Sequence, residues 1–295
     1  PQTLFFNLNF AEDSESNTVS SFDADGFTMG SQGGVNTNGN NYVAYCWKAG
    51  GGTTSSNTDG TNIDSTVQIN SDAGFSIVQF TTPGTFSASN TVGHGLGVTP
   101  NLIIMKSTST AGENWMVHHT DLGNGGYARL NTTDASGTAG SLFTGTNGTV
   151  FNTAPNISYI AYCFHSVENF SKFGSYEGNG TTTGPLVETG FEPAMIIIKD
   201  VDGTDNWALV DNKRATTNPR QTWLRPNLAN AEFTNTVDSI NFYSNGFQVA
   251  GGTSVSNFLN ENGNTFIYMA FAADPDTEAP TLADSFAVQT YSGNG

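Results

Sequence analysis

Side chains able to do chemistry are sparse in this sequence, and their spacing seldom suits it. The histidines are His94, His118, His119 and His165. Only His118 and His119 are close, and adjacent strand residues point to opposite faces, so these two cannot chelate one ion together. The stretch Asp200-Val-Asp-Gly-Thr-Asp205 spaces Asp200, Asp202 and Asp205 so that carboxylates could gather round Ca²⁺. It lacks the glycine placement and distal glutamate of an EF-hand loop. The loop Ser107-Thr-Ser-Thr-Ala-Gly112, which follows a similar apolar run, holds no acid. A polar hairpin loop is the better reading, and neither metal nor cofactor is expected.

Hydrolysis fares no better. A glycosidase needs two carboxylates about 5–10 Å apart across the scissile bond. Glu12, Asp13 and Glu15 are the nearest cluster, and the matching segment near residue 232 keeps only Glu232. No Gly-x-Ser-x-Gly elbow occurs to anchor a serine hydrolase. Gly50-Gly-Gly52 sits in a polar stretch and not between a strand and a helix, so phosphate cradling is unsupported. The expectation is a protein that is not an enzyme. Binding has a better footing. Asn114-Trp115 and Asn206-Trp207 recur as a pair; indole faces could stack on sugar rings while the amides donate hydrogen bonds. The better reading is that a repeated Trp marks the start of a core strand.

These residues must be held by strands. Hydrophobic residues are 36% and aromatics 12%, but charged residues only 12%, so Asn, Thr, Ser and Gly carry the surface. That palette disfavours helices and suits strands joined by turns. Nine Lys+Arg against 26 Asp+Glu give a net charge of −17, which argues against nucleic acid and anionic membrane as partners. No apolar window reaches the length of a membrane-spanning helix. Both ends, Pro1 and Tyr291-Ser-Gly-Asn-Gly295, read as cuts within a longer protein.

The strongest signal is internal repetition. Tyr42-Val-Ala-Tyr-Cys-Trp47 recurs as Tyr159-Ile-Ala-Tyr-Cys-Phe164 and, more loosely, as Phe266-Ile-Tyr-Met-Ala-Phe271. Phe75-Ser-Ile-Val-Gln-Phe80 returns as Phe170-Ser-Lys-Phe-Gly-Ser-Tyr176 and as Phe286-Ala-Val-Gln-Thr-Tyr291. Pro100-Asn-Leu-Ile-Ile-Met-Lys106 matches Pro193-Ala-Met-Ile-Ile-Ile-Lys199, and Asp23-Ala-Asp-Gly-Phe27 matches Tyr243-Ser-Asn-Gly-Phe247. Trp223 is less regular, matching Leu4 or Phe5. The order of motifs is constant. It divides the chain into the second half of a repeat (1–47), a linker (48–73), complete repeats at 74–165 and 168–273, and the first strand of a further repeat (284–295). The stretch 48–73 is poor in apolar residues and reads as flexible; Asp274-Pro-Asp-Thr-Glu-Ala-Pro280 reads as a shorter connection stiffened by proline.

Cys46 and Cys163 hold one repeat position, and Ala270 holds it in the third copy. Such an interchange fits a tight packing site better than a nucleophile, a metal ligand or a disulfide. The sequons at Asn131, Asn147, Asn156, Asn169 and Asn179 follow from an Asn- and Thr-rich composition. Many short strands with regular turn signals predict an all-β protein of tandem β-sandwich or jelly-roll repeats.

Val43-Ala-Tyr-Cys-Trp-Lys-Ala-Gly-Gly-Gly52, Gly93-His-Gly-Leu-Gly97, Phe170-Ser-Lys-Phe-Gly-Ser-Tyr-Glu-Gly-Asn-Gly180 and Asp211-Asn-Lys-Arg214 together resemble an uncharacterised tandem domain of large structural and tail-fibre-like proteins of marine bacteriophages. The resemblance covers nearly the whole chain. It implies concanavalin-A-like sandwiches and a place on the virion, and supplies no catalytic or binding residues. The expected role is a fibre or surface appendage presenting repeated contact surfaces to the host, among other virion proteins and with host glycan as a candidate ligand. Homotrimers are the usual way to stiffen such fibres. The alternatives are a capsule depolymerase and a bacterial surface adhesin.

Overall fold

A computed structural model describes residues 2–84, 89–153, 157–251, 257–272 and 286–293. The sequon at Asn156 and the connection at 274–280 lie outside these residues. The fold is all-β: helix among the described residues is limited to single turns such as Gly33–Asn36, Thr120–Leu122 and Asn257–Asn260. None of these is long and apolar enough to cross a membrane.

Three strands carry the recurring aromatic motif: Asn41–Trp47, Ser158–Phe164 and Thr265–Ala272. Their β-branched and aromatic residues favour the extended backbone. Each motif strand pairs antiparallel with a partner strand, respectively Phe286–Ser292, Phe75–Thr81 and Ser171–Glu177, in one shared register. Tyr42 faces Tyr291, Tyr159 faces Phe80 and Phe266 faces Tyr176. All three ring pairs stack, at 5.1, 5.5 and 5.0 Å between centroids. Strand Phe286–Ser292 thus returns to pair with the first half-repeat, giving three β-units.

The second and third units are two-layered. In the third, the sheet order is Ser171–Glu177, Thr265–Ala272, Pro193–Asp200, Ala208–Asp211. Its outer face shares a core with a second sheet of Thr183–Glu188, Gly246–Gly251 and Asp238–Tyr243, where Ile196, Ile198 and Tyr268 meet Phe242, Phe247 and Val249. The second unit repeats this with a wider sheet: Ile103, Met105, Ala161 and Cys163 pack against Val92 and Phe151 of a small sheet. Ile103 faces Cys163 and Ile196 faces Ala270, and all four are fully buried. Identical register and equal burial explain why Cys and Ala interchange there.

The inner faces of the three motif strands converge on one core. Trp47, Phe164 and Phe271, the same motif position three times, form a triangle of ring centroids with sides of 6.1, 5.4 and 6.0 Å. Phe75, Phe173 and Phe286 pack around it.

The flexible linker expected over 48–73 is a correction. Ser55–Asn57 and Ser65–Asn70 extend the eight-stranded sheet beside Phe75–Thr81, and Asn62–Ile63 lies parallel to Thr91–Gly93. Backbone pairing needs no apolar side chain. Along Ser65–Asn70 only one face starts buried, through Ser65 and Val67, and the Ser65 hydroxyl donates to the Gly93 carbonyl at 2.8 Å.

Candidate functional site

Trp115 and Trp207 do not form a sugar platform. Each precedes the strand beside the Pro-led apolar strand of its sheet, Met116–His119 or Ala208–Asp211, and each is only 1% exposed. Neither ring face is available for stacking. The indoles instead join one unit to the previous one. Trp115 Nε1–H donates to the Phe5 carbonyl at 2.9 Å, and Trp207 Nε1–H donates to the Arg129 carbonyl at 2.9 Å.

The asparagines beside them belong to the same device. The backbone N–H of Trp115 donates to Asn131 Oδ1 and that of Trp207 to Asn227 Oδ1. The amide of Asn131 then donates to Asn114 Oδ1 at 2.8 Å, and that of Asn227 to Asn206 Oδ1 at 2.7 Å. Buried polar groups are thereby paired within the fold and not presented to a ligand. Each accepting carbonyl starts a tight turn, Leu8 N–H bonding to Phe5 O and Thr132 N–H to Arg129 O, and the same turn recurs where Leu228 N–H bonds to Arg225 O. This superposes Phe5, Arg129 and Arg225. It shifts Trp223 from its expected match with Leu4 or Phe5 onto Thr3, because Trp223 faces Phe233 as Thr3 faces Asp13.

A second seam, between the first and third units, escaped sequence reasoning. The Tyr45 hydroxyl donates to Asp211 Oδ2 at 2.7 Å, and Arg214 Nε reaches the same oxygen at 2.6 Å. Asp211 is fully buried, and its other oxygen accepts the N–H groups of Lys213 and Arg214. Burial raises the Tyr45 phenol above its ordinary range, against the pull of Arg214. The signal was present in Asp211-Asn-Lys-Arg214, but its partner lies more than a hundred residues away. With every carboxylate lone pair engaged and no access to solvent, this is a structural network.

The aspartates expected as a calcium candidate are likewise engaged. Asp200 Oδ1 accepts from the N–H groups of Asp202 and Gly203, and Asp200 Oδ2 accepts from the Asn264 amide at 2.9 Å. Asp202 Oδ2 turns to Thr265 N–H. The Asp205 carboxyl is raised in pKa by desolvation and then by Asp200. Among the described residues no group of three His, Cys, Asp or Glu side chains is placed to hold a metal ion. The loop is organised by buried Lys199, whose ammonium donates to the carbonyls of Asp200, Gly203 and, across the unit boundary, Thr133. Desolvation lowers its pKa.

His118, His119 and Cys163 are likewise sequestered. His118 and His119 are buried, and His118 Nδ1 lies 2.8 Å from the Gly126 carbonyl. Cys163 is fully buried with its thiol pushed up to about 12 by desolvation, and Cys46 is half-buried. An open depression of about 300 Å³ is lined by Leu186, Glu188, Tyr243, Asn245 and Gln248, where Leu186 and Tyr243 are exposed.

The fold and its seams define an all-β, sandwich-like protein in which paired buried groups join successive units. The chain belongs to a family described as a domain of unknown function (DUF7483), whose model matches residues 1–275. No curated protein and no solved structure matches it.

Proposed function

We propose that the protein is a non-enzymatic structural module of a bacteriophage virion, part of a tail fibre or surface appendage. The observation that supports the structural part is the repeated indole staple, Trp115 to Phe5 and Trp207 to Arg129, which ties each unit to the one before it. Reactive side chains are spent on such seams. The concanavalin-A-like ancestry and the phage setting rest on the sequence resemblance. Other virion proteins are the expected partners, and a homotrimer the expected assembly.

Immunogold labelling of purified phage particles with antibody to this chain tests the location. Label on tail or capsid appendages is expected. Label confined to the envelope of uninfected bacteria would overturn the reading in favour of an adhesin, and release of reducing sugar from host capsule by the purified chain would overturn its non-enzymatic part.

Attachment to a host glycan is a second reading, and its seat moves away from the tryptophans. Tyr243 and Leu186 offer an exposed aromatic and aliphatic surface beside Glu188, Asn245 and Gln248. That combination suits a sugar ring flanked by hydroxyl partners. Glycan-array binding that disappears in Tyr243→Ala would support it.

A further inference from the structure

The first unit is unfinished in a way the other two are not. In the second and third units the motif strand lies inside its sheet, between the partner strand and a Pro-led apolar strand, Leu102–Ser107 or Pro193–Asp200. In the first unit Asn41–Trp47 pairs only with Phe286–Ser292, in a two-stranded sheet. Its other edge has no strand among the described residues. Burial follows suit. Cys163 and Ala270 are fully buried under Ile103 and Ile196, whereas Cys46 at the same position is half-buried.

The outer hairpin reports the same gap independently. Phe242 and Phe247 face each other in the third unit, 3% and 0% exposed, in a core with Val187, Ile196, Ile198 and Val210. Their counterparts Phe22 and Phe27 also face each other, yet Phe22 is 87% exposed. Phe6 and Phe10, at 52% and 56%, leave further apolar surface open on the same unit. What covers the third unit and has no equivalent over the first among the described residues is the stretch of strands Thr183–Glu188, Pro193–Asp200 and Ala208–Asp211.

The staple acceptors agree. The Phe5 and Arg129 carbonyls each receive a turn N–H and an indole N–H. Arg225 begins the same turn, and among the described residues its carbonyl receives only Leu228 N–H. The chain also leaves the first unit as it leaves the third. Gly293 exchanges backbone hydrogen bonds with Gly39 and Asn40, as Gly178 does with Gly263 and Asn264.

We propose that the free edge of Asn41–Trp47 and the adjoining face around Phe22 are a docking site for one more segment of this same repeat type. The occupant is a Pro-led apolar strand followed by an Asn-Trp strand. Its strand pairs with Asn41–Trp47, its isoleucines cover Cys46 and Phe22, and its indole donates to the Arg225 carbonyl. Backbone pairing supplies affinity and the alternate apolar side chains supply specificity, as in strand addition generally. This inference stands apart from any virion location.

The test adds a synthetic peptide of residues 183–211 to the whole chain. Binding is read by alkylation of the Cys46 thiol and by hydrogen exchange of the Asn41–Trp47 amides. Saturating peptide is expected to slow both at least about tenfold and to leave Cys163 unchanged. A peptide carrying Ile196→Asp should fail, and one carrying Trp207→Phe should bind about fivefold more weakly, the loss of one hydrogen bond. No protection at saturation, or equal protection by a scrambled peptide, would overturn the proposal. So would protection that rises with protein concentration alone and accompanies dimer formation in sedimentation, because a second copy would then be the occupant.

Discussion

Trp207 of the third unit gives its indole N–H to the Arg129 carbonyl of the second at 2.9 Å, and Trp115 of the second unit does the same to Phe5 of the first. One geometry therefore joins units in series.

Replacing that donor should loosen the seam without unmaking either unit. Trp207→Phe keeps most of the buried ring and loses one hydrogen bond, so it should cost about 1–2 kcal/mol. Trp207→Ala should cost about 3–5 kcal/mol through the cavity it leaves. Urea unfolding monitored by circular dichroism measures both. Equal losses for the two variants would mean that the hydrogen bond and not the packing dominates.

The buried thiol should be silent. Ala270 already fills the position of Cys163 in the third unit, so Cys163→Ala should cost under about 1.5 kcal/mol. Cys163→Ser buries a hydroxyl in an apolar core and should cost about 1–3 kcal/mol. With the Cys163 thiol raised to about 12, native protein at pH 8 should react with a thiol reagent at Cys46 alone.

Acid should weaken the fold before the carboxylates titrate. Burial pushes His119 from 6.5 down to about 4, against the opposing pull of Asp121, and His94 and His118 shift in the same direction. The folded state holds His119 neutral, so its share of stability is complete above pH 6.5 and is lost as pH falls toward 4. Between pH 6.5 and 5 the wild type should lose about 1–2 kcal/mol, and His119→Gln should lose less. Urea midpoints at the two pH values compare them.

The loop at Asp200 should ignore calcium. Its carboxylate is held by loop N–H groups and Asn264, so EDTA and added CaCl₂ should leave the thermal midpoint unchanged within about 1 °C. Lys199→Met strands several buried carbonyls and should cost about 1–3 kcal/mol. A midpoint that rises with CaCl₂ would reinstate the ion site.

The repeated positions were legible because burial acts alike on the two complete copies. Cys163 and Ala270 align in sequence and are both fully buried, and Ile103 and Ile196 lie in matching cores, whereas Cys46 at the same sequence position is only half-buried. The all-β class followed from the residue palette and from many short strands with regular turn signals. Three things were not legible, each for its own reason. Pairing of Asn41–Trp47 with Phe286–Ser292 joins residues about 245 positions apart, and no local pattern announces such a partner. Strand Ser65–Asn70 is polar because its backbone supplies the bonding. The seam role of the tryptophans was not legible, because Asn-Trp has the same composition whether its ring stacks on a ligand, opens a core strand or closes a seam.

Pairing of Phe286–Ser292 with Asn41–Trp47 has a mechanical consequence. In that antiparallel pair Asn41 lies opposite Ser292, so the chain running back from the first residue and the chain running on from the second emerge at one end of the ladder. Tension applied there would open the ladder like a zip, one rung at a time, instead of shearing all rungs together. The ring of units would then yield at its latch while the two completed sandwiches stayed folded.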